Sequence, residues 1–62
     1  MTGYVKFRSL LTKKGVTAAD VSRATGITQS TFTNWKQGKS CPKVDKLIRI
    51  ARYFDIPLEM LL

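Results

Sequence analysis

A chain of 62 residues has room for one domain and a thin core that buries about 60% of the surface its unfolded form exposes. It carries 11 Lys and Arg against 4 Asp and Glu, a net charge of +7, and so lopsided an excess calls for an anionic partner. Histidine is absent and Cys41 is the only cysteine, which excludes an intramolecular disulfide, a cysteine-rich metal site and the usual general base near neutral pH.

No cofactor, metal or catalysed reaction is therefore expected. No apolar run approaches the ~20 residues of a membrane span, and no signal-peptide core follows Met1. The chain reads as one domain, 1–62, in a reducing cytoplasm, with Cys41 as a small loop residue before Pro42.

Five helical segments are expected, in an all-α arrangement without strands. The first runs from about Gly3 to Lys14, with Tyr4, Phe7, Leu10 and Leu11 as its apolar stripe and Gly15 as its stop. Thr17 should cap the second, with Asp20 three residues on as a weak capping box. This helix packs through Val21 and ends near Thr25. Gly26 makes the turn and Ile27 plugs the corner. Thr28 should cap the third helix, which continues to about Gln37 and stops at Gly38. Pro42 falls at or near the first turn of the fourth helix, about Lys43 to Phe54. There Val44, Leu47, Ile48, Ala51 and Phe54 line one side, and Lys46, Arg49, Arg52 and Tyr53 the other. Asp55 breaks this helix, and Pro57 opens a short fifth, Leu58 to Leu62.

The stretch TAADVSRATGITQSTFTNWKQ, residues 17–37, is the most informative. At 100° per residue, Lys36, Gln29, Thr33, Gln37, Ser30 and Asn34 of the third segment share one continuous arc, while Phe32, Trp35, Thr28 and Thr31 share the other. Amides and hydroxyls read base edges in a major groove. A helix that only had to stay soluble more usually carries Glu and Lys there. Ser22 supplies a small residue where two steeply crossing helices touch, and Gly26 allows the positive φ of a tight reversal. Val21, Ile27, Phe32 and Trp35 then close a small core. The competing reading is an ordinary helical hairpin without a nucleic-acid role.

The spacing Thr17, Ser22, Gly26, Ile27, Phe32, Trp35 resembles the helix-turn-helix of the Cro and lambda-repressor-like (XRE) family. The segments KKGVTAADVSRATGITQSTFTNWKQGK and KVDKLIRIARYFDIPLEML extend the resemblance over residues 4–62. It implies a compact five-helix lambda-repressor-like domain that binds a double-stranded DNA operator, as a phage-type or bacterial repressor does, and associates with the nucleoid. The first turns of the third helix would enter the major groove, with Thr28, Gln29, Ser30, Thr33 and Asn34 contacting bases. Gln29 leads, because its amide can pair bidentately with adenine. Phosphate contacts would fall to Thr17 and Ala18 on one side and to Lys36, Gln37, Lys39, Ser40 and Lys43 on the other.

Three positions depart from the family pattern. Ala18 stands where a phosphate-gripping Gln is frequent, Leu11 and Lys36 where many members pair an Arg with a Glu, and Thr25 where an aliphatic is usual, which thins the core. Met60 and Leu62 lack obvious cover, and the resemblance implies a homodimer on DNA meeting through them. The same pair also suits a frayed end or a chain that continues further. Two other roles compete. One is a protein-interaction module such as an antitoxin, against which stands the lack of a segment to wrap a toxin. The other is a membrane-active basic peptide, against which stand the capped turns and the use of Trp35 as core.

Overall fold

The computed structural model describes residues 2–62, which form four α-helices and one 3₁₀ turn: α1 Thr2–Lys14, α2 Ala18–Thr25, α3 Gln29–Lys36, α4 Val44–Phe54, and the turn Leu58–Leu61. The all-α expectation holds, with one correction. The fifth segment is a single 3₁₀ turn, Leu58–Leu61, with Pro57 as its N-cap: its bonds span three residues, the Met60 N–H to the Pro57 carbonyl at 3.1 Å and the Leu62 N–H to the Glu59 carbonyl at 3.2 Å.

Local chemistry fixes the ends of the elements. Beyond α1, the Val16 N–H bonds back to the Leu11 carbonyl at 3.0 Å, closing the helix. The capping box of α2 is complete: Thr17 Oγ1 accepts from the Asp20 N–H at 3.2 Å, and the Asp20 carboxylate accepts from the Thr17 N–H at 3.0 Å. Gly26 follows with φ 76°, a left-handed conformation that a side chain resists. Ser22 Oγ donates to the Ile27 carbonyl across that turn. Thr25 also belongs to the turn. Its hydroxyl donates to the Val21 carbonyl at 2.7 Å and accepts from the Ile27 N–H at 3.4 Å, so a polar residue serves here where an aliphatic was expected to be missed.

α3 begins differently from its expected capping. The Thr28 backbone takes the extended N-cap conformation, but its side chain makes no capping bond. Its hydroxyl pairs instead with that of Thr31 at 3.2 Å. The helix ends at Lys36, with Gln37 as its cap residue, and the Lys39 and Ser40 N–H groups both bond to the Asn34 carbonyl. Pro42 lies outside α4, buried ahead of the cap residue Lys43.

Eleven residues make the core: Phe7, Leu10, Val21, Ile27, Phe32, Trp35, Leu47, Ile50, Ala51, Phe54 and Leu61. α4 corrects its expected stripe. Ile50 is fully buried, while Val44, its first helical residue, projects past the core end and is 59% exposed. Leu47, Ile50, Ala51 and Phe54 therefore face inward at the i, i+3, i+4, i+7 spacing. Tyr4 and Leu11 of α1 and Leu58 of the turn pack at the margin. The Phe7 ring is central, lying within 5.1–6.2 Å of the ring centroids of Phe32, Trp35, Tyr4 and Phe54.

Candidate nucleic-acid interface

α3 is held from behind by its two aromatic residues, Phe32 and Trp35, which are 3% and 1% exposed. Both stack on Phe7 of α1, so the opposite arc faces solvent. Gln29, Ser30, Thr33, Lys36 and Gln37 are exposed there, as is Thr28 just ahead of the helix. Asn34 is half-buried at the edge of this arc, where its carbonyl holds the following loop. The side chains offered outward are amides, hydroxyls and one ammonium group, suited to base edges and flanking phosphates.

The loop between α3 and α4 brings Lys39, Ser40 and Lys43 to the surface beside the C-terminal half of α3. A groove of about 490 Å³ joins the two helices there, with Asn34, Ser40, Lys43 and Lys46 among its walls. Lys46 was expected with Arg49, Arg52 and Tyr53 on the side of the fourth helix away from its apolar stripe. It is half-buried in this groove instead, because it lies three residues after Lys43 and so on the same side of the first turn of α4. That spacing is visible in the sequence. Lys43 and Lys46 line this groove together with Asp45, and Lys36 and Lys39 are exposed at the end of α3 and on the loop that follows it.

The helix N-termini differ in what already occupies them. At α2, the Thr17 N–H, the Thr17 side chain and the nearby Arg23 guanidinium hold the Asp20 carboxyl below the usual carboxylate range. A carboxylate therefore already answers the positive end of that helix dipole, beside Thr17 and Ala18. Ala18 turns inward, half-buried against the core. Neither Thr28 at α3 nor Lys43 at α4 makes a side-chain cap, so the first two N–H groups of each helix meet no cap side chain, while the third, of Thr31 and of Lys46, bonds back to the carbonyl of the cap residue.

Met60 and Leu62 are 51% and 58% exposed, while Leu61 between them is buried. Cys41 is free and exposed on the α3–α4 loop. Among the described residues, no group of three or more Cys, Asp or Glu is placed to hold a metal ion. No helix is long and apolar enough to cross a membrane.

Residues 7–61 match a helix-turn-helix family model of the XRE type, the Cro-like group. No curated protein and no solved structure matches the chain.

Proposed function

From the fact that this chain belongs to the XRE-type helix-turn-helix family of DNA-binding transcription regulators, we propose that it recognises one operator sequence in duplex DNA and represses transcription from it, as a single domain in a phage or bacterial cytoplasm. The observation that carries this reading is the two-sidedness of α3. Phe32 and Trp35 are locked in the core while Gln29, Ser30 and Thr33 stand free on the other arc.

In this account the first turns of α3 lie in the major groove. Gln29 pairs with a base, Thr28, Ser30 and Thr33 offer hydroxyls and methyls to its neighbours, and Asn34 reaches the flank. Lys36, Gln37, Lys39, Ser40 and Lys43 hold phosphates, with the uncapped N–H groups of α3 and α4, and Lys46 joins them from the shared groove. Thr17 and Ala18 contribute backbone contacts alone, tempered by Asp20. Two copies pair on a near-palindromic site through Met60 and Leu62, which the fold leaves uncovered.

Selection of preferred duplexes from a random pool tests the reading. It should enrich a short motif, repeated in inverted orientation with half-site centres about one helical turn, ~10 base pairs, apart. A single unrepeated motif would remove the pairing. No enrichment at all would remove operator recognition.

A further inference from the structure

Thr28 stands just outside α3, as the residue before its first turn, on extended backbone at φ −67° and ψ 149°. A threonine in that place ordinarily turns its hydroxyl to accept from the N–H groups of the first turn. Here the hydroxyl makes no capping bond. The Thr31 N–H donates instead to the Thr28 carbonyl, at 3.1 Å. The Thr28 hydroxyl lies 3.2 Å from the hydroxyl of Thr31, and either of the two can donate. Two side chains three residues apart thus hold one another at the entry of α3.

The two threonines are not equivalent. Thr28 is exposed, while Thr31 is half-buried on the arc of α3 that carries Phe32 and Trp35. Thr31 lines the groove shared by α3 and α4, with Asn34, Ser40 and Pro42. It is the anchored member of the pair. An exposed threonine has three staggered χ1 wells, and its hydroxyl and methyl exchange places between them. The bond to Thr31 selects a well that turns Oγ1 toward α3, and the place of the methyl follows from it. A side chain ordered before DNA arrives has less freedom to lose on binding. We propose that Thr31 is a positioning residue for base recognition: without touching a base, it fixes the rotamer with which Thr28 meets the major groove. This role presupposes that α3 reads bases through Thr28, and it adds a specificity residue on the inward arc.

Thr31→Val removes the hydroxyl and keeps the branched shape, Thr31→Ala removes both, and Thr31→Ser keeps the hydroxyl. Affinity is measured for each on the selected duplex and a scrambled one, beside Thr28→Ala and the double variant Thr28→Ala/Thr31→Val. Thr31→Val and Thr31→Ala should weaken binding to the selected duplex about threefold, the factor that freeing three wells allows. Both should broaden base preference at the position that Thr28→Ala also relaxes. Thr31→Ser should bind as the unsubstituted protein does, and scrambled-duplex affinity should not change. Adding Thr31→Val to Thr28→Ala should cost nothing further, because Thr31 acts only through Thr28. Far-UV circular dichroism and Trp35 emission verify that each variant keeps the fold. A full threefold loss on top of Thr28→Ala would make Thr31 merely structural and overturn the proposal. So would an equal loss on both duplexes, which would make Thr31 a phosphate contact from its groove. Unchanged selection in Thr31→Val and Thr31→Ala, with selection relaxed by Gln29→Ala, overturns the proposal alone. Unchanged selection in Gln29→Ala and Thr28→Ala as well overturns the base-reading role of α3 with it.

Discussion

The phenyl ring of Phe7 lies nearly parallel to that of Phe32, with centroids 5.1 Å apart and planes 9° apart. The same Phe7 ring stacks on Trp35 at 5.2 Å. One residue of α1 thus holds both inward side chains of α3, and stacked aromatic pairs add about 0.5–1.5 kcal/mol beyond their burial. The rotation of α3 about its own axis is fixed from behind. The outward set of Gln29, Ser30 and Thr33 is the consequence.

Trp35→Ala should therefore unfold the domain or nearly so. Removing so large a buried side chain costs about 3–5 kcal/mol, and a core of this size supplies about 3–5 kcal/mol in total. Far-UV circular dichroism at 25 °C reads the loss. In the intact protein the indole emission should be blue-shifted, poorly quenched by iodide and nearly unchanged by duplex. Solvent-like emission that duplex quenches would put Trp35 on the DNA and reverse the two faces of α3.

Gly3→Ala should lower stability although alanine is the better helix former. A Cβ at Gly3 would stand 3.0 Å from the Leu61 carbonyl oxygen and 3.2 Å from Trp35 Cζ2. Backbone and a packed indole have little room to yield, so a loss of about 1–2 kcal/mol is expected, with a shift in Trp35 emission. Gly15→Ala meets open space but a φ of 67°. It should cost about 1 kcal/mol with the emission unmoved. A more stable Gly3→Ala protein would show that α1 can shift away from the 3₁₀ turn.

Asp20 gives the fold an acid-sensitive point. Its folded pKa is depressed, chiefly by the Thr17 N–H, then by the Thr17 side chain and the Arg23 charge. A depressed carboxylate stabilises the folded state above its unfolded pKa of about 4, and that contribution is lost as the pH falls through the folded value. Thermal melts between pH 7 and pH 2 should show a midpoint that drops below about pH 4. In Asp20→Asn that drop should shrink, from a lower starting midpoint. Parallel curves for the two proteins would remove the Thr17–Asp20 box as the source.

Most of the fold was legible because its signals are local. Phe7, Val21, Phe32 and Trp35 fall inward as their helical spacing predicts, Ile27 plugs the corner between α2 and α3, and the Thr17–Asp20 box and the Gly26 turn follow from residue chemistry. What was not legible depends on partners far along the chain. α4 carries apolar residues at 44, 47, 48, 50, 51 and 54, enough for two overlapping stripes, and tertiary packing chose the one with Ile50 and left Val44 out. Gly3 matters only because Leu61 and Trp35 close over it. The polar arc of α3 was legible from spacing alone, but the uncapped N-termini of α3 and α4 and the place of Lys46 needed the loop geometry.

Salt dependence follows from a reading face that is nearly neutral, so affinity has to come from flanking cations. Binding to duplex should weaken steeply with added salt. Lys39→Ala should make the log–log slope shallower by roughly one unit while the preferred sequence stays the same. An unchanged slope would take Lys39 away from the phosphates.

The central claim, that α3 reads bases through its polar arc, is tested most directly by Gln29→Ala on two duplexes, the selected one and a scrambled one of equal length. Gln29 is exposed at the first position of α3, so its loss should not disturb the core. The account predicts that affinity for the selected duplex falls by about 1–3 kcal/mol, roughly fivefold to 150-fold, with discrimination relaxed at one or two base positions and scrambled-duplex binding unchanged. An equal fall on both duplexes would make Gln29 a phosphate or structural residue and contradict the claim.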